Sequence, residues 1–316
     1  MVNTLRYIFI RLIWLVFILL FIISLVFISS SLVQRAIWQS RVPFSTHIVT
    51  TMDEYTQYII GIVSRWDWGV NPRGISAWQL MIERAPLSLR ITAISFGIAL
   101  ILGILLGIIA ARNRGNIIDY IISSATLIFV SIPAFVYIFA IMIIFGWRLE
   151  WVPPIYPHWS WATPDVIVLG HIIPIITLSG LPIATFSQLI RSELIEHRDE
   201  YHLLLAKTKG LNERQVLLRH SIRNSVLPVI QKMPEVFSIV LFNSFIIEKI
   251  YNVPGVARLF FDSIYMPLAD SATFLLDPPM IVVITTFYAF IKLSSDLIVD
   301  ILHSVIDPRI TIGYKK

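Results

Sequence analysis

The chain has 316 residues, of which 56% are hydrophobic and only 14% charged, and its mean hydropathy is +0.77; that balance excludes an ordinary soluble domain and indicates an integral membrane protein. The formal net charge of +5 would suit a polyanion, but the basic residues gather at the edges of apolar runs, which argues against a nucleic-acid binder. With no cysteine, there is no disulfide framework, thiolate nucleophile or cysteine metal site.

Residues 12–28 follow Arg6 and Arg11 and carry no charge. The run exceeds the ~7–15 apolar residues of a signal-peptide core, and no small-residue cleavage site follows. Residues 1–32 are therefore expected to be a retained first transmembrane helix. Residues 33–87 are mixed and polar, with Trp66, Trp68 and Trp78 suited to a membrane–water boundary. They read as an extracellular loop containing a short amphipathic helix over 76–84.

A core of five further spans is expected over 88–316. Residues 91–111 are again uncharged, and Gly103 with Gly107 makes a GxxxG pair, read as helix packing and not as a functional device. A basic turn at 112–116 leads to a third span over 120–147, bent or weakened at Pro133. Residues 147–161 hold Trp147, Trp151, Trp159 and Trp161 with three prolines and fit an interfacial loop. The fourth span, 166–190, carries His171 near its end; an intramembrane histidine is a functional candidate by default, and a satisfied interfacial residue is the preferred reading.

The segment 199–230 is a polar island between long apolar runs and reads as two short helices folded about a glycine. Leu203, Leu204 and Leu205 form an apolar ridge among Tyr201, His202 and Lys207. Gly210 can take the left-handed conformation that ends such a helix. Asn212 followed three residues later by Gln215 has capping-box spacing for a second helix, which runs toward Pro228 with Arg214, Arg219 and Arg223 on its flank. On shape alone this could be an amphipathic loop lying on anionic headgroups. Residue identity points elsewhere: the string from Ala206 through Gly210, Leu211 and Arg214 to Arg219-His220, Arg223-Asn224 and Leu227-Pro228 closely resembles the EAA loop of bacterial ATP-binding-cassette (ABC) importer permeases. The sixteen-residue spacing from the glycine to Leu-Pro resembles the dipeptide/oligopeptide/nickel branch. The resemblance extends to Leu149-Glu150-Trp151-Val152-Pro153, Pro254-Gly255-Val256 and Asp307-Pro308-Arg309-Ile310, and the opening Leu5-Arg6-Tyr7-Ile8 and Arg11-Leu12-Ile13 resembles the first of the two permease types in the peptide branch. Two departures stand out. The Pro-Gly-Asp-Pro element common after the first helix is replaced by Ser31-Leu32-Val33-Gln34, and Leu203-Leu204-Leu205 stands where relatives tend to carry polar residues.

The fifth span is expected from about 227 to 247, with Lys232 and Glu235 on one face near its start. An ion pair holding the bundle is favoured there over a pathway-lining role. Asn243 and Ser244 are candidate hydrogen-bonders along a translocation path, each equally able to face a neighbouring helix. Pro278 and Pro279 suit the first turn of a sixth span ending near 302, in which Lys292, Asp296 and Asp300 share a face that should look at protein or water. Placing both termini in the cytosol puts fourteen basic residues on inner segments against seven on outer ones.

No phosphate-binding loop, GxGxxG, HExxH or GxSxG motif occurs. His197 and His202 are too poorly spaced for a metal site, so no catalytic, cofactor or metal residue is assigned. The fold implied by the resemblance is an all-α integral membrane protein, six transmembrane helices with a cytoplasmic coupling helix inside the loop 191–226, the type I ABC importer permease fold. The implied function is a permease subunit in a bacterial cell membrane. Its partners would be a homologous second permease, two ATP-binding subunits that hold ATP and magnesium, an extracellular substrate-binding protein and a peptide substrate. Tyr201, Leu204, Leu205, Ala206, Lys207, Gly210, Leu211 and Arg214 would then carry the ATPase contact. A nickel or glutathione importer of the same family, an ATPase-independent secondary transporter and a non-transport membrane scaffold remain alternatives.

Overall fold

An apolar run crossing a bilayer must satisfy its own backbone hydrogen bonds, and the α-helix does so within one segment. The computed structural model describes residues 2–39, 42–158, 162–196, 222–264 and 276–306. Among these the only β pairing is an isolated bridge between Val70 and Ser76. The helices are α1 (Val2–Trp38), α2 (Phe44–Arg65), α3 (Ala77–Arg112), α4 (Ile117–Ser131) and α5 (Ala134–Ile141), which continues as a π-helical stretch, Met142–Arg148. Then follow α6 (Pro164–Gly170), α7 (Ile172–Glu196), α8 (Ile222–Ile250), α9 (Val256–Ile264) and α10 (Pro278–Ile306). Five segments are long and apolar enough to cross a membrane, Ile8–Trp38, Ala77–Arg112, Pro164–Glu196, Ser225–Ile250 and Pro278–Leu302, and the bent pair α4–α5 makes a sixth if counted as one span.

Several boundaries differ from expectation. α1 runs to Trp38, and the loop after it holds the 22-residue helix α2. The short helix expected over 76–84 is the opening of α3, with Pro86 inside the same helix. α8 begins at Ile222 and passes through Pro228 and Pro234 without ending. The third span breaks sharply. Ile132 and Pro133 are both extended, and the axes of the two halves meet at 108°. Proline lacks the N–H that would continue the ladder and disfavours helical geometry in the residue before it.

The described chain divides into two compact units, one built from 2–89 and 252–297, the other from 90–251 and 298–306. In the first, α1 meets α2 through the Phe27 ring stacked on Tyr58 at 4.4 Å, the Ser24 and Tyr55 hydroxyls 2.6 Å apart, and an Arg35–Glu54 ion pair. Trp68 stacks on Trp78 with Trp66 edge-on to both, so the three boundary tryptophans form one cluster. The Pro254-Gly255-Val256 motif is tied to α3: Arg84 donates to the Pro254 carbonyl at 3.1 Å, and the Val256 N–H donates to Ser88 Oγ at 2.9 Å.

The second unit is organised on α7. Its small buried residues Ser179, Gly180, Ala184 and Ser187 let neighbours approach closely, as small residues do in membrane bundles. α8, α4 and α5 all pack against it. At one end of this unit, the Tyr251 hydroxyl donates to the Pro153 carbonyl at 2.6 Å and the Tyr156 N–H donates to the Tyr251 carbonyl at 2.9 Å. The 149–153 motif is thereby fastened to the end of α8. His171 is satisfied as preferred, its Nδ1 2.7 Å from the Ile167 carbonyl and its Nε2 3.4 Å from the Tyr156 hydroxyl.

Candidate functional site

The loop singled out by sequence, with Tyr201, Leu204, Leu205, Ala206, Lys207, Gly210, Leu211 and Arg214, lies outside the described residues. The frame that carries it is described: the chain leaves α7 at Glu196 and re-enters α8 at Ile222. α7 and α8 are the most extensively packed pair among the described helices.

Three apolar stripes build that frame. Phe186, Ile190 and Leu194 recur every fourth residue on α7 and are buried against Val229 and Val236 of α8, with Val226 and Met233 alongside. Phe96, Leu100, Ile104, Ile108 and Ala111 present the matching stripe of α3. Gly103 and Gly107 bring α3 onto α7 so closely that a Cβ at 103 would meet Phe186 Cβ at 2.6 Å, and one at 107 would meet the Ser187 carbonyl oxygen at 2.6 Å. The packing reading of the GxxxG pair therefore holds, and its partner is α7.

The contact of α7 with α4 is polar and directional. Arg191 grips Asp119 with both forks of its guanidinium, Nε to Oδ1 at 2.6 Å and Nη2 to Oδ2 at 2.8 Å. Asp119 also accepts from the Gly115 N–H at 3.0 Å and the Ser123 hydroxyl at 3.3 Å, and its side chain is 4% exposed. Gly115 has φ +80°, the left-handed geometry that favours glycine, and this turn aims its N–H at the carboxylate. One turn along α7, Gln188 Nε2 donates to Thr126 Oγ1 at 3.3 Å. Sequence reading missed Asp119. Its signal was an acid just inside an apolar run, directly after a basic glycine turn.

The other candidates fall in different places. Ser244 is buried and its hydroxyl donates to the Leu241 carbonyl at 2.7 Å, while Asn243 is half-buried. Lys232 and Glu235 pair at 2.6 Å, with both side chains substantially exposed in the chain alone. Lys292 pairs with Asp296.

A second candidate place is an open cleft of about 780 Å³ in the first unit, lined among others by Gln34, Asp53, Glu54, Asn71 and Asp277. Two of its acids already serve the fold: Glu54 pairs with Arg35, and Asp277 caps α10. Because Pro278 and Pro279 have no N–H, the first donor that the Asp277 carboxylate reaches is the Met280 N–H, at 3.2 Å. Burial pushes the Asp277 carboxyl up from 3.8 to about 6, outweighing the lowering by that hydrogen bond. A carboxyl that holds its proton more tightly in the folded state favours folding most below about 4, and that contribution is lost as pH rises through about 6. Asp277→Asn keeps a cap without ionising. It is expected to match the wild type near pH 4 and to be more stable at pH 8, by at most about 3 kcal/mol. Thermal scans of the purified protein across that range would check this, and parallel curves would refute it.

Among the described residues, no three His, Cys, Asp or Glu side chains come together as a metal site. The α3–α4–α7–α8 frame is held, among the described residues, by apolar packing and by the Asp119–Arg191 pair.

The family described as binding-protein-dependent transport system inner membrane component matches residues 103–312. The chain is 31% identical to the dipeptide transport system permease protein DppB of Lactococcus lactis subsp. cremoris (strain MG1363) over 73% of this chain and 71% of the relative. It is 30% identical to the protein of the same name in Bacillus subtilis (strain 168), over 83% of this chain and 80% of that one. A chain of the MetNI methionine ABC transporter, solved in inward-facing conformations, superposes with a TM-score of 0.57 at 12% identity, covering 73% of this chain and 97% of the other.

Proposed function

The chain belongs to the family of binding-protein-dependent transport system inner membrane components, and from that membership we propose that it is the permease subunit of an importer for dipeptides or oligopeptides, driven by ATP hydrolysis on separate subunits. The observation that carries the peptide assignment is the 30–31% identity, over more than two thirds of each chain, to two permeases named for dipeptide transport. The mechanical half rests on the frame. The 197–221 segment is inserted between two helices that pack along each other, so a force on that segment acts on α7 and α8 together. ATP and magnesium belong to the partner subunits, a homologous permease completes the path, and an external binding protein delivers the peptide. Both termini then lie in the cytosol, together with the coupling residues Tyr201 to Arg214.

Alternating access in this reading is a rigid-body switch between two packings of the bundle, biased by nucleotide on the partners. Proteoliposomes containing the assembled complex should take up labelled di- to pentapeptides only when ATP and the binding protein are both present. Nickel and glutathione serve as competing substrates. Uptake of either in preference to every peptide would overturn the substrate assignment, and ATP-independent uptake would overturn the coupling.

A further inference from the structure

We infer that the Asp119–Arg191 pair is the strut through which displacement of the Glu196 end of α7 is passed to α4, which makes both positioning residues for transport; this rests on the permease reading above. The surfaces of α7 differ in what they transmit. Toward α8 and α3 the contact is apolar packing, which holds the helices together without a directed bond. Toward α4 the contact is a two-pronged ion pair with the Gln188–Thr126 hydrogen bond one turn away, and both prongs must break before the helices shift relative to each other.

Both ends of the strut are placed for this. Arg191 stands just over one turn before α7 ends at Glu196, where the 197–221 segment begins. Asp119 lies in the first turn of α4 and is held from the other side by the Gly115 N–H and from its own helix by Ser123. Its carboxylate thus takes four donors from three places, which ties it to the α3–α4 turn as well as to α7. From Asp119 α4 runs about 20 Å to the break at Ile132–Pro133, past which α5 packs on both α7 and α8. A small movement of Arg191 turns α4 as a lever, with the break as its hinge.

A brace that merely holds the bundle together would lose assembly, uptake and ATP hydrolysis in proportion when weakened. A strut loses the ratio between uptake and hydrolysis. The test uses the complete complex in proteoliposomes with binding protein and ATP, and measures peptide uptake and phosphate release in the same vesicles. The panel is wild type, Asp119→Asn, Asp119→Glu, Arg191→Lys and the exchange Asp119→Arg/Arg191→Asp. Asp119→Asn and Arg191→Lys are expected to reduce peptide transported per ATP by about fivefold or more, with hydrolysis within about twofold of wild type. Asp119→Glu and the exchange should recover part of that ratio. An unchanged ratio, a proportional fall of both activities, or failure of every variant to assemble would overturn the inference. Lack of ATP-dependent uptake by the wild-type complex would instead overturn the permease reading, which the wild-type arm reports separately.

Discussion

Gly107→Leu is expected to abolish recovery of folded protein from the membrane, while the same change at Gly97 is accepted. The two glycines are ten residues apart on α3 and differ in what a side chain would meet. At 107, a Cβ would lie 2.6 Å from the Ser187 carbonyl oxygen and 2.8 Å from Ile190 Cβ; at 97 nothing lies within 4 Å. The obstacle at 107 is partly backbone, so no rotamer change relieves it. α7 cannot retreat, because Ile190 is buried in the cluster shared with α8 and Arg191 is held by Asp119. Moving α3 away instead opens the stripe from Phe96 to Ala111. Overpacking of a compliant core costs about 1–3 kcal/mol, and a clash with backbone exceeds that against a total stability of about 5–15 kcal/mol. Alanine sharpens the test through its sign. Gly97→Ala should raise the melting temperature, since alanine favours helix over glycine by about 0.5–1 kcal/mol, whereas Gly107→Ala should lower it. Melting curves of the purified variants decide the matter, and equal shifts at the two positions would refute the packing argument.

What the sequence made legible follows the range of the forces involved. Gly103 with Gly107, Pro278 with Pro279 at the start of α10, and the Lys232–Glu235 pair are local patterns, and each appears where its spacing put it. The Asp119–Arg191 pair joins residues 72 apart, and no local spacing reveals such a partner. Pro133 shows a subtler limit. Pro182, Pro228 and Pro234 stand inside helices that continue, so proline alone does not set the 108° break. At Pro133 the two halves each find a place on α7, and α5 packs on α8 as well; tertiary packing turns an expected kink into two separate helices. α2 was missed because its apolar positions mix with threonine and tyrosine, and its buried face, with Thr51 and the rings that meet Phe27, is polar enough to read as loop.

On the proposed coupling role, Leu205→Asp is expected to cut ATP-driven uptake by at least about thirtyfold while leaving the amount of membrane-inserted protein unchanged. The sequence puts Leu205 at the end of the Leu203-Leu204-Leu205 ridge, immediately before Ala206. An apolar anchor at the centre of a protein–protein contact is worth about 2 kcal/mol or more when removed, and a carboxylate in its place adds the cost of burying an unpaired charge. Gly210→Pro acts differently, by removing one N–H donor and the residue able to turn left-handed where the sequence leads one to expect the first short helix to end. Leu205→Met, which conserves volume, should be tolerated. The decisive measurement pairs uptake with co-purification of the ATP-binding subunits, because it separates this site from the strut. Leu205→Asp should release those subunits, whereas Asp119→Asn should retain them and still waste their ATP. If uptake is unchanged in both Leu205→Asp and Gly210→Pro, the 197–221 segment does not receive the force, and α7 and α8 must be driven from elsewhere.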